Sequence, residues 1–273
     1  MNTFSIGDAE IGGRRLFVIA GPCVVESAEM CVQVAAKMRE ACAARGLPYV
    51  FKASYRKANR SSGRSFAGLS GDEGLAALAR VRRDVGVPVI TDVHESHETQ
   101  AAAEVADALQ IPAFLCRQTA LLEAAARTGR AVNVKKGQFV APADMTQAVD
   151  KLVAAGANRI LLTERGTTFG YGDLVVDMRA FSILRETGWP TVYDATHSLQ
   201  RPGGAETGGD RRFALPLMRA ALAAGADGLF FETHPDPARA RSDAATQLPL
   251  AEAPHFLDEA LRIRDALGDR AHA

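Results

Sequence analysis

The sequence predicts an α/β fold, a (β/α)8 or TIM barrel with a short N-terminal β-hairpin, and three observations carry that prediction. Eight short apolar runs alternate with helical stretches along the 273 residues, the count and length that such a barrel needs. In six of the units a glycine stands between the helix and the next run: Gly46, Gly86, Gly129, Gly156, Gly188 and Gly225. Glycine just past a helix is the left-handed cap that lets the chain turn back. The runs are apolar throughout rather than at alternate positions, as in a parallel sheet covered on its outer face.

The elements follow in order. Residues 1–15 read as a hairpin, with Phe4-Ser5-Ile6 and the segment after Glu10-Ile11 flanking turn residues. Leu16 to Ala20 is the first barrel strand. Ser27, with Glu26 and Glu29 beside it, opens a helix that runs to about Arg45. The next strands are Pro48-Tyr49-Val50-Phe51, Val87-Pro88-Val89-Ile90 and, after a helical stretch from Glu98, Ala108-Leu109-Gln110-Ile111. Then come Ala131-Val132-Asn133-Val134, Arg159-Ile160-Leu161-Leu162, Pro190-Thr191-Val192-Tyr193 and Gly228-Leu229-Phe230-Phe231. A helix from about His255 to Leu267 closes the series. An open doubly wound sheet fits less well, because no GxGxxG turn follows the first strand. No internal linker is visible, so residues 1–273 read as one domain.

Composition narrows the function classes. Hydrophobic residues make up 47%, enough for a sizeable core. Lys+Arg and Asp+Glu are both 32, and the near-zero net charge argues against nucleic-acid or membrane-surface binding. No apolar run approaches the ~18 residues of a membrane span. Met1-Asn2-Thr3-Phe4 lacks the basic start of a signal peptide. Cys23, Cys31, Cys42 and Cys116 form no CxxC. A reducing cytoplasm is the expected home.

In a barrel of this kind function sits at the C-terminal strand ends, and here those ends are polar. The run from Phe51 to Ser62 turns from apolar strand into a loop with four cations, Lys52, Arg56, Lys57 and Arg60. Such a loop is either a solvated basic segment or equipment for phosphate. Lys52, Lys57, Arg60, Arg117, Lys135 and Arg165 come from several strand ends and would converge on one mouth, a ring suited to a substrate with more than one anionic group. For Lys136 and Arg56 pairing with a nearby acid is the better reading. A second set, Cys23, His197, Glu232 and Asp243, offers one thiol, one imidazole and two carboxylates, compatible with a divalent first-row metal. Their spacing does not demand it, since a lone Cys is more often a small buried hydrophobe. Cys31, Cys42 and Cys116 are read that way. His94 and His234 lie beside strand ends as supporting groups.

These segments resemble the 3-deoxy-D-manno-octulosonate 8-phosphate synthase family across nearly the whole chain. The resemblance rests on Gly21-Pro22-Cys23-Val24-Val25-Glu26-Ser27, Phe51-Lys52-Ala53-Ser54 and Lys57-Ala58-Asn59-Arg60-Ser61-Ser62. It continues through Thr91-Asp92-Val93-His94-Glu95, Arg117-Gln118-Thr119, Asn133-Val134-Lys135-Lys136, Asp194-Ala195-Thr196-His197 and Glu232-Thr233-His234-Pro235-Asp236-Pro237. Related synthases that take erythrose 4-phosphate look more like Lys-Pro-Arg-Thr in the loop after strand two, so Asn59 points to the five-carbon sugar phosphate. Metal-independent members have Asn at the position of Cys23 and a Cys-Arg-Asp after the strand-seven histidine. Here Gln200 is followed by Arg201-Pro202-Gly203-Gly204, which resembles the metal-dependent class.

The resemblance implies condensation of phosphoenolpyruvate with arabinose 5-phosphate for lipopolysaccharide synthesis. It implies Cys23, His197, Glu232 and Asp243 as ligands of a divalent metal (Zn, Fe(II), Mn or Co). Lys135 and Arg165, with Lys57, are expected on phosphoenolpyruvate, and Asn59, Arg60 and Ser61 on the sugar's terminal phosphate. Gln110 joins the substrate-binding set. Lys52, Asp92, Lys135 and His197 are the expected catalytic groups. Arg117 is expected to reach a neighbouring subunit's site, which implies an oligomer, a homotetramer. The rival readings are the erythrose 4-phosphate reaction and a non-catalytic barrel that binds sugar phosphates.

Overall fold

A computed structural model describes residues 1–58, 66, 68–169, 172–202 and 208–268. Strands β1 (Phe4–Ile6) and β2 (Ala9–Ile11) pair antiparallel around Gly7 and Asp8. Gly7 has φ of 58°, the positive value that a tight hairpin turn requires. The second hairpin strand therefore includes Glu10 and Ile11 instead of following them.

The barrel alternates strands and helices as expected. It begins β3 (Phe17–Gly21), α1 (Ala28–Ala43), β4 (Tyr49–Lys52), α2 (Gly71–Val85), β5 (Val89–Asp92), α3 (Thr99–Val105), β6 (Ala108–Ile111), α4 (Thr119–Arg127) and β7 (Ala131–Lys135). It continues with α5 (Thr146–Ala154), β8 (Ile160–Glu164), the small pair β9 (Thr167–Thr168) and β10 (Leu174–Val175), α6 (Arg179–Arg185) and β11 (Thr191–Asp194). A second small pair, β12 (Gln200–Arg201) and β13 (Gly208–Gly209), precedes α7 (Ala214–Ala223) and β14 (Gly228–His234). Then come β15 (Leu248–Pro249) and α8 (Ala253–Leu267). Ser27 caps α1 by accepting from Met30 N at 3.1 Å, so the expected helix start is the observed one. All six interhelix glycines have positive φ, from 62° at Gly46 to 98° at Gly156 and Gly225.

Every one of the eight apolar runs contributes a barrel strand. They pair in parallel in the order β3-β4-β5-β6-β7-β8-β11-β14, and β14 closes the ring on β3 with Gly228 opposite Phe17 and Glu232 opposite Gly21. Side chains alternate between the two faces of a strand. One set, including Val18, Phe51, Val89, Tyr193 and Phe231, packs outward against the helices. The other points into the barrel. At the bottom it is apolar: Phe17, Ile19, Val50, Ile90, Ala108, Ala131, Leu161, Val192 and Phe230, closed from below by Ile6, Ala9 and Ile11 of the hairpin. Both faces of each strand are thus buried, which is why the runs read as continuously apolar.

One departure from eight strands matters for the site. After β14 the chain makes a long excursion and returns as β15, which pairs parallel to β14 with Leu248 opposite Thr233. The excursion contains Ser242, Asp243 and Gln247, and the pairing holds it over the C-terminal mouth.

Candidate active site

On seven of the eight barrel strands, the residue two positions above an inward apolar one is polar and shares its face. Val50 is followed by Lys52, Ile90 by Asp92, Ala108 by Gln110 and Ala131 by Asn133. Leu161 is followed by Thr163, Val192 by Asp194 and Phe230 by Glu232. The polar strand ends are therefore the top layer of the barrel interior, reached by the period of two. All seven are buried, so each needs a partner.

The partners run around the ring. Thr163 Oγ1 donates to Asn133 Oδ1 at 2.7 Å, and Asn133 Nδ2 donates to Gln110 Oε1 at 2.9 Å. Gln110 Nε2 donates to Asp92 Oδ1 at 2.6 Å, and Ser54 Oγ donates to Asp92 Oδ2. Asp92, as a carboxylate, only accepts, and this orients the amide of Gln110 and then that of Asn133. Burial favours the neutral acid, but Lys52 and Lys57 hold Asp92 well below the usual carboxylate range.

The cations divide into one that is used up and others that are open. Lys52 Nζ donates to Glu232 Oε1 at 2.8 Å, to Cys23 O at 3.1 Å and to Ser54 Oγ at 3.2 Å. Those are the three donors that an ammonium has. Lys135 Nζ lies 2.5 Å from Asp194 Oδ2 and 3.1 Å from the centroid of the Phe230 ring. Burial brings its pKa down to about 8, although Asp194 pulls the other way. Arg165 donates through Nη2 to Gln200 Oε1 at 2.6 Å. Its buried Nη1 has no hydrogen-bond partner among the described residues. Lys57 is half-buried; burial alone would lower its pKa, but Cys23, Glu232, Asp92 and Asp243 raise it.

Opposite the cations lies an acidic cluster. Donor atoms of Cys23, Glu232 and Asp243 all fall within 4.8 Å of one another. Cys23 Sγ sits 2.9 Å from both Asp243 Oδ2 and Ser242 Oγ. Burial pushes the Cys23 thiol well up, and Asp243 and Glu232 push it further. A cation among these groups would reverse that and favour the thiolate. Glu232 Oε2 is buried without a hydrogen-bond partner among the described residues. Asp243 has φ of 48°, the only non-glycine positive φ among the described residues, a conformation kept where the surroundings over-determine it.

His197 stands beside this cluster. Its Nδ1 is 2.8 Å from Asp194 Oδ2, and its Nε2 is 3.6 Å from Glu232 Oε1. A carboxylate can only accept, so Nδ1 carries the hydrogen, and in the neutral ring Nε2 keeps its lone pair toward the cluster. An unpartnered carboxylate oxygen, a thiol, a second carboxylate and an imidazole so presented fit a divalent first-row cation.

Lys52, Lys57, Asp92, Gln110, Lys135, Arg165 and His197 are thus gathered with Cys23, Glu232 and Asp243 at one mouth. Asn59, Arg60 and Ser61 lie outside the described residues. Arg117 is exposed, and among the described residues its carbonyl alone is engaged, by Lys151 Nζ at 3.3 Å. Lys136 is fully buried and serves its own loop, donating to Gly137 O, Val140 O and Thr167 Oγ1 with Glu164 3.5 Å away. Arg56 pairs with Glu98. His234 Nδ1 accepts from Asp236 N at 3.0 Å and its Nε2 faces Glu26 at 3.7 Å. The sequence reading missed Asn133, Ser242 and Gln247 as site residues. Asn133 left a signal, a polar residue inside an apolar run two positions before Lys135. Ser242 and Gln247 left none, because they sit on an irregular loop.

The family model described as the DAHP synthetase I family matches residues 4–266 of the chain. Curated relatives match at about half identity over nearly their full length. A protein of Koribacter versatilis is 53% identical over 269 residues, covering 97% of this chain and 96% of that one. A protein of Trichlorobacter lovleyi is 52% identical over 256 residues, covering 93% and 94%. One of Azoarcus sp. is 54% identical over 246 residues, covering 88% of each. All three are named 2-dehydro-3-deoxyphosphooctonate aldolase. Among the described residues, no helix is long and apolar enough to cross a membrane.

Proposed function

The chain belongs to the DAHP synthetase I family, and on that premise we propose how it condenses phosphoenolpyruvate with arabinose 5-phosphate. The reaction consumes water and yields 3-deoxy-D-manno-octulosonate 8-phosphate and inorganic phosphate, for lipopolysaccharide synthesis. Carbon 3 of the enol phosphate bonds to the aldehyde carbon, whose oxygen takes up a proton. The oxygen of water bonds to carbon 2 as the water gives up a proton. The C–O bond from carbon 2 to the phosphate then breaks as the new carbon 2 hydroxyl gives its proton to the departing phosphate, leaving a keto acid and inorganic phosphate.

The observation that carries this reading is a single buried mouth in which open cations face an acidic cluster. Arg165, with its unpartnered Nη1, and Lys135, held by one carboxylate, are assigned with Lys57 to the phosphate and carboxylate of phosphoenolpyruvate. Charge-assisted bonds from a guanidinium and ammonium groups suit both. Lys52 is spent on Glu232, Cys23 O and Ser54 and lies 3.6 Å from Asp92. Its role is to keep Glu232 and Asp92 ionised and fixed beside the reacting atoms. Gln110 holds Asp92 from the other side. Asn59, Arg60 and Ser61 are assigned to the sugar's terminal phosphate. Bringing two anions into register against their repulsion can remove several kcal/mol of barrier, up to ~7–11 in good cases.

Cys23, His197, Glu232 and Asp243 would hold a divalent ion, Zn, Fe(II), Mn or Co. When bound, such an ion supplies Lewis acidity to the aldehyde oxygen or to the attacking water. A homotetramer in which Arg117 reaches a neighbour's sugar phosphate is supported by the exposure of Arg117 and of Phe114 three residues before it, 56% exposed. A large exposed aromatic ring is a common interface group.

The test is phosphate release from phosphoenolpyruvate with arabinose 5-phosphate, before and after chelation, with metals added back, and with erythrose 4-phosphate as a second acceptor. Loss on chelation with recovery on metal addition is expected. Cys23→Ser is expected to lower metal content and rate together. Full activity in a metal-free Cys23→Ser protein would remove the metal assignment. Turnover with erythrose 4-phosphate alone would overturn the acceptor.

A further inference from the structure

Gln200 lies between the two halves of the mouth. Its backbone is extended, with φ of −67° and ψ of 145°, and it pairs with Gly209 just after the turn that carries His197. Its side chain is thereby aimed inward. Gln200 Oε1 accepts from Arg165 Nη2 at 2.6 Å, and Gln200 Nε2 donates to Asp243 Oδ1 at 2.7 Å. This orientation of the amide is forced, because a guanidinium only donates and a carboxylate only accepts.

We propose that Gln200 is a neutral spacer, a positioning residue whose amide keeps the Arg165 guanidinium and the Asp243 carboxylate from closing on each other as an ion pair. An arginine and an aspartate at one mouth have a strong, often bidentate, mutual attraction. If they met, the guanidinium would lose its freedom to take an anionic substrate and the carboxylate its place against Cys23. One uncharged amide satisfies an edge of each and adds no charge of its own. What remains open on either side is what the site uses. Arg165 keeps Nη1, buried and unpartnered among the described residues, and Asp243 keeps Oδ2, turned toward Cys23 and Ser242. A side chain of either sign would fail here. An acidic one would pair with Arg165 and repel Asp243, and a basic one would do the reverse. An apolar one would take away the partner of Arg165 Nη2 and that of Asp243 Oδ1 and leave those two edges free to meet.

The inference rests on the assignment of Arg165 to phosphoenolpyruvate, and the experiment separates the two. Binding of phosphoenolpyruvate to the metal-free protein is measured by calorimetry for the unaltered chain, for Gln200→Leu and for Gln200→Glu. Melting temperatures are recorded alongside, and steady-state KM values for both substrates follow on the metal-loaded proteins. The spacer predicts that Kd for phosphoenolpyruvate rises about tenfold or more in Gln200→Leu, the scale of a hydrogen bond to a charged group. It predicts at least as large a rise in Gln200→Glu, with KM for phosphoenolpyruvate rising and KM for arabinose 5-phosphate little changed. A residue that only fills space predicts the opposite for the isosteric Gln200→Glu. Retention of the original Kd in that variant overturns the inference, and it decides the question even if Gln200→Leu does not fold. Absence of phosphoenolpyruvate binding by the unaltered chain overturns the Arg165 assignment, and the spacer with it.

Discussion

Replacing Asp194 by Asn is expected to take the proton off Lys135 near neutral pH. Asp194 is fully buried, and its Oδ1 accepts the backbone N–H groups of Thr196 and His197 at 3.0 and 2.9 Å. An amide oxygen can keep those two bonds. Oδ2 accepts from Lys135 Nζ at 2.5 Å and from His197 Nδ1 at 2.8 Å, and an amide NH2 in its place can accept from neither. Burial has already brought Lys135 to about 8, so about nine tenths of it is an ammonium at pH 7. Asp194 is the opposite charge that holds the Lys135 pKa up against burial, so its loss takes Lys135 below about 8. At pH 7 a smaller share then keeps its charge. The binding form is the ammonium. In the unaltered enzyme affinity for phosphoenolpyruvate is therefore lost as pH rises through about 8. In Asp194→Asn it is lost at lower pH, because Lys135 without its carboxylate gives up the proton earlier. The assay is phosphate release across pH with KM resolved for each substrate, and a melting curve to confirm folding. KM for phosphoenolpyruvate should recover as pH is lowered, while KM for arabinose 5-phosphate should not follow it. An alkaline limb that stays near 8, with the rate reduced evenly at every pH, would refute the role of Asp194 as the group that keeps Lys135 charged.

Gly21→Ala would place a Cβ 2.0 Å from the Lys52 carbonyl oxygen, a backbone atom that cannot swing away. A cost of about 1–3 kcal/mol or more is expected, seen as a lower Tm together with weaker activity; unchanged melting and rate would mean that β3 and β4 can part there. Ile6→Ala empties part of the hairpin plug at the far end of the barrel, where Ile6 is fully buried. It should cost about 2–5 kcal/mol of stability with kcat/KM unchanged in the folded enzyme, and a raised KM for phosphoenolpyruvate would show that the plug and the mouth are not independent.

The repeat was legible residue by residue. Val50 and Phe51, or Leu161 and Leu162, face opposite ways, and each meets a buried environment, so the runs are apolar at every position. Lys52, Asp92, Lys135, Asp194 and Glu232 could be read as site residues because they continue the inward face of the strands just past the apolar layer. The glycines could be read because a left-handed cap tolerates little else. These are local properties, set by a strand period of two, a helix period of 3.6 and the backbone's own sterics, and a sequence records them directly.

Which of those polar residues meet is not a local property. Cys23 and Asp243 are 220 positions apart and touch only because β14 closes on β3 and β15 draws the intervening loop back. Ser242 and Gln247 share that loop, which has no period to betray them. The sequence showed a ring of cations but not that Lys52 spends all three donors on the protein while Arg165 keeps Nη1 open. Nor did it show a neutral glutamine between Arg165 and Asp243. The type and order of the eight barrel strands and their helices came from the sequence by itself, because local sterics and burial dictate them. The division of the charged residues into partners and open groups was decided by barrel closure, because an ion pair depends on distance in space and the chain encodes only distance along itself.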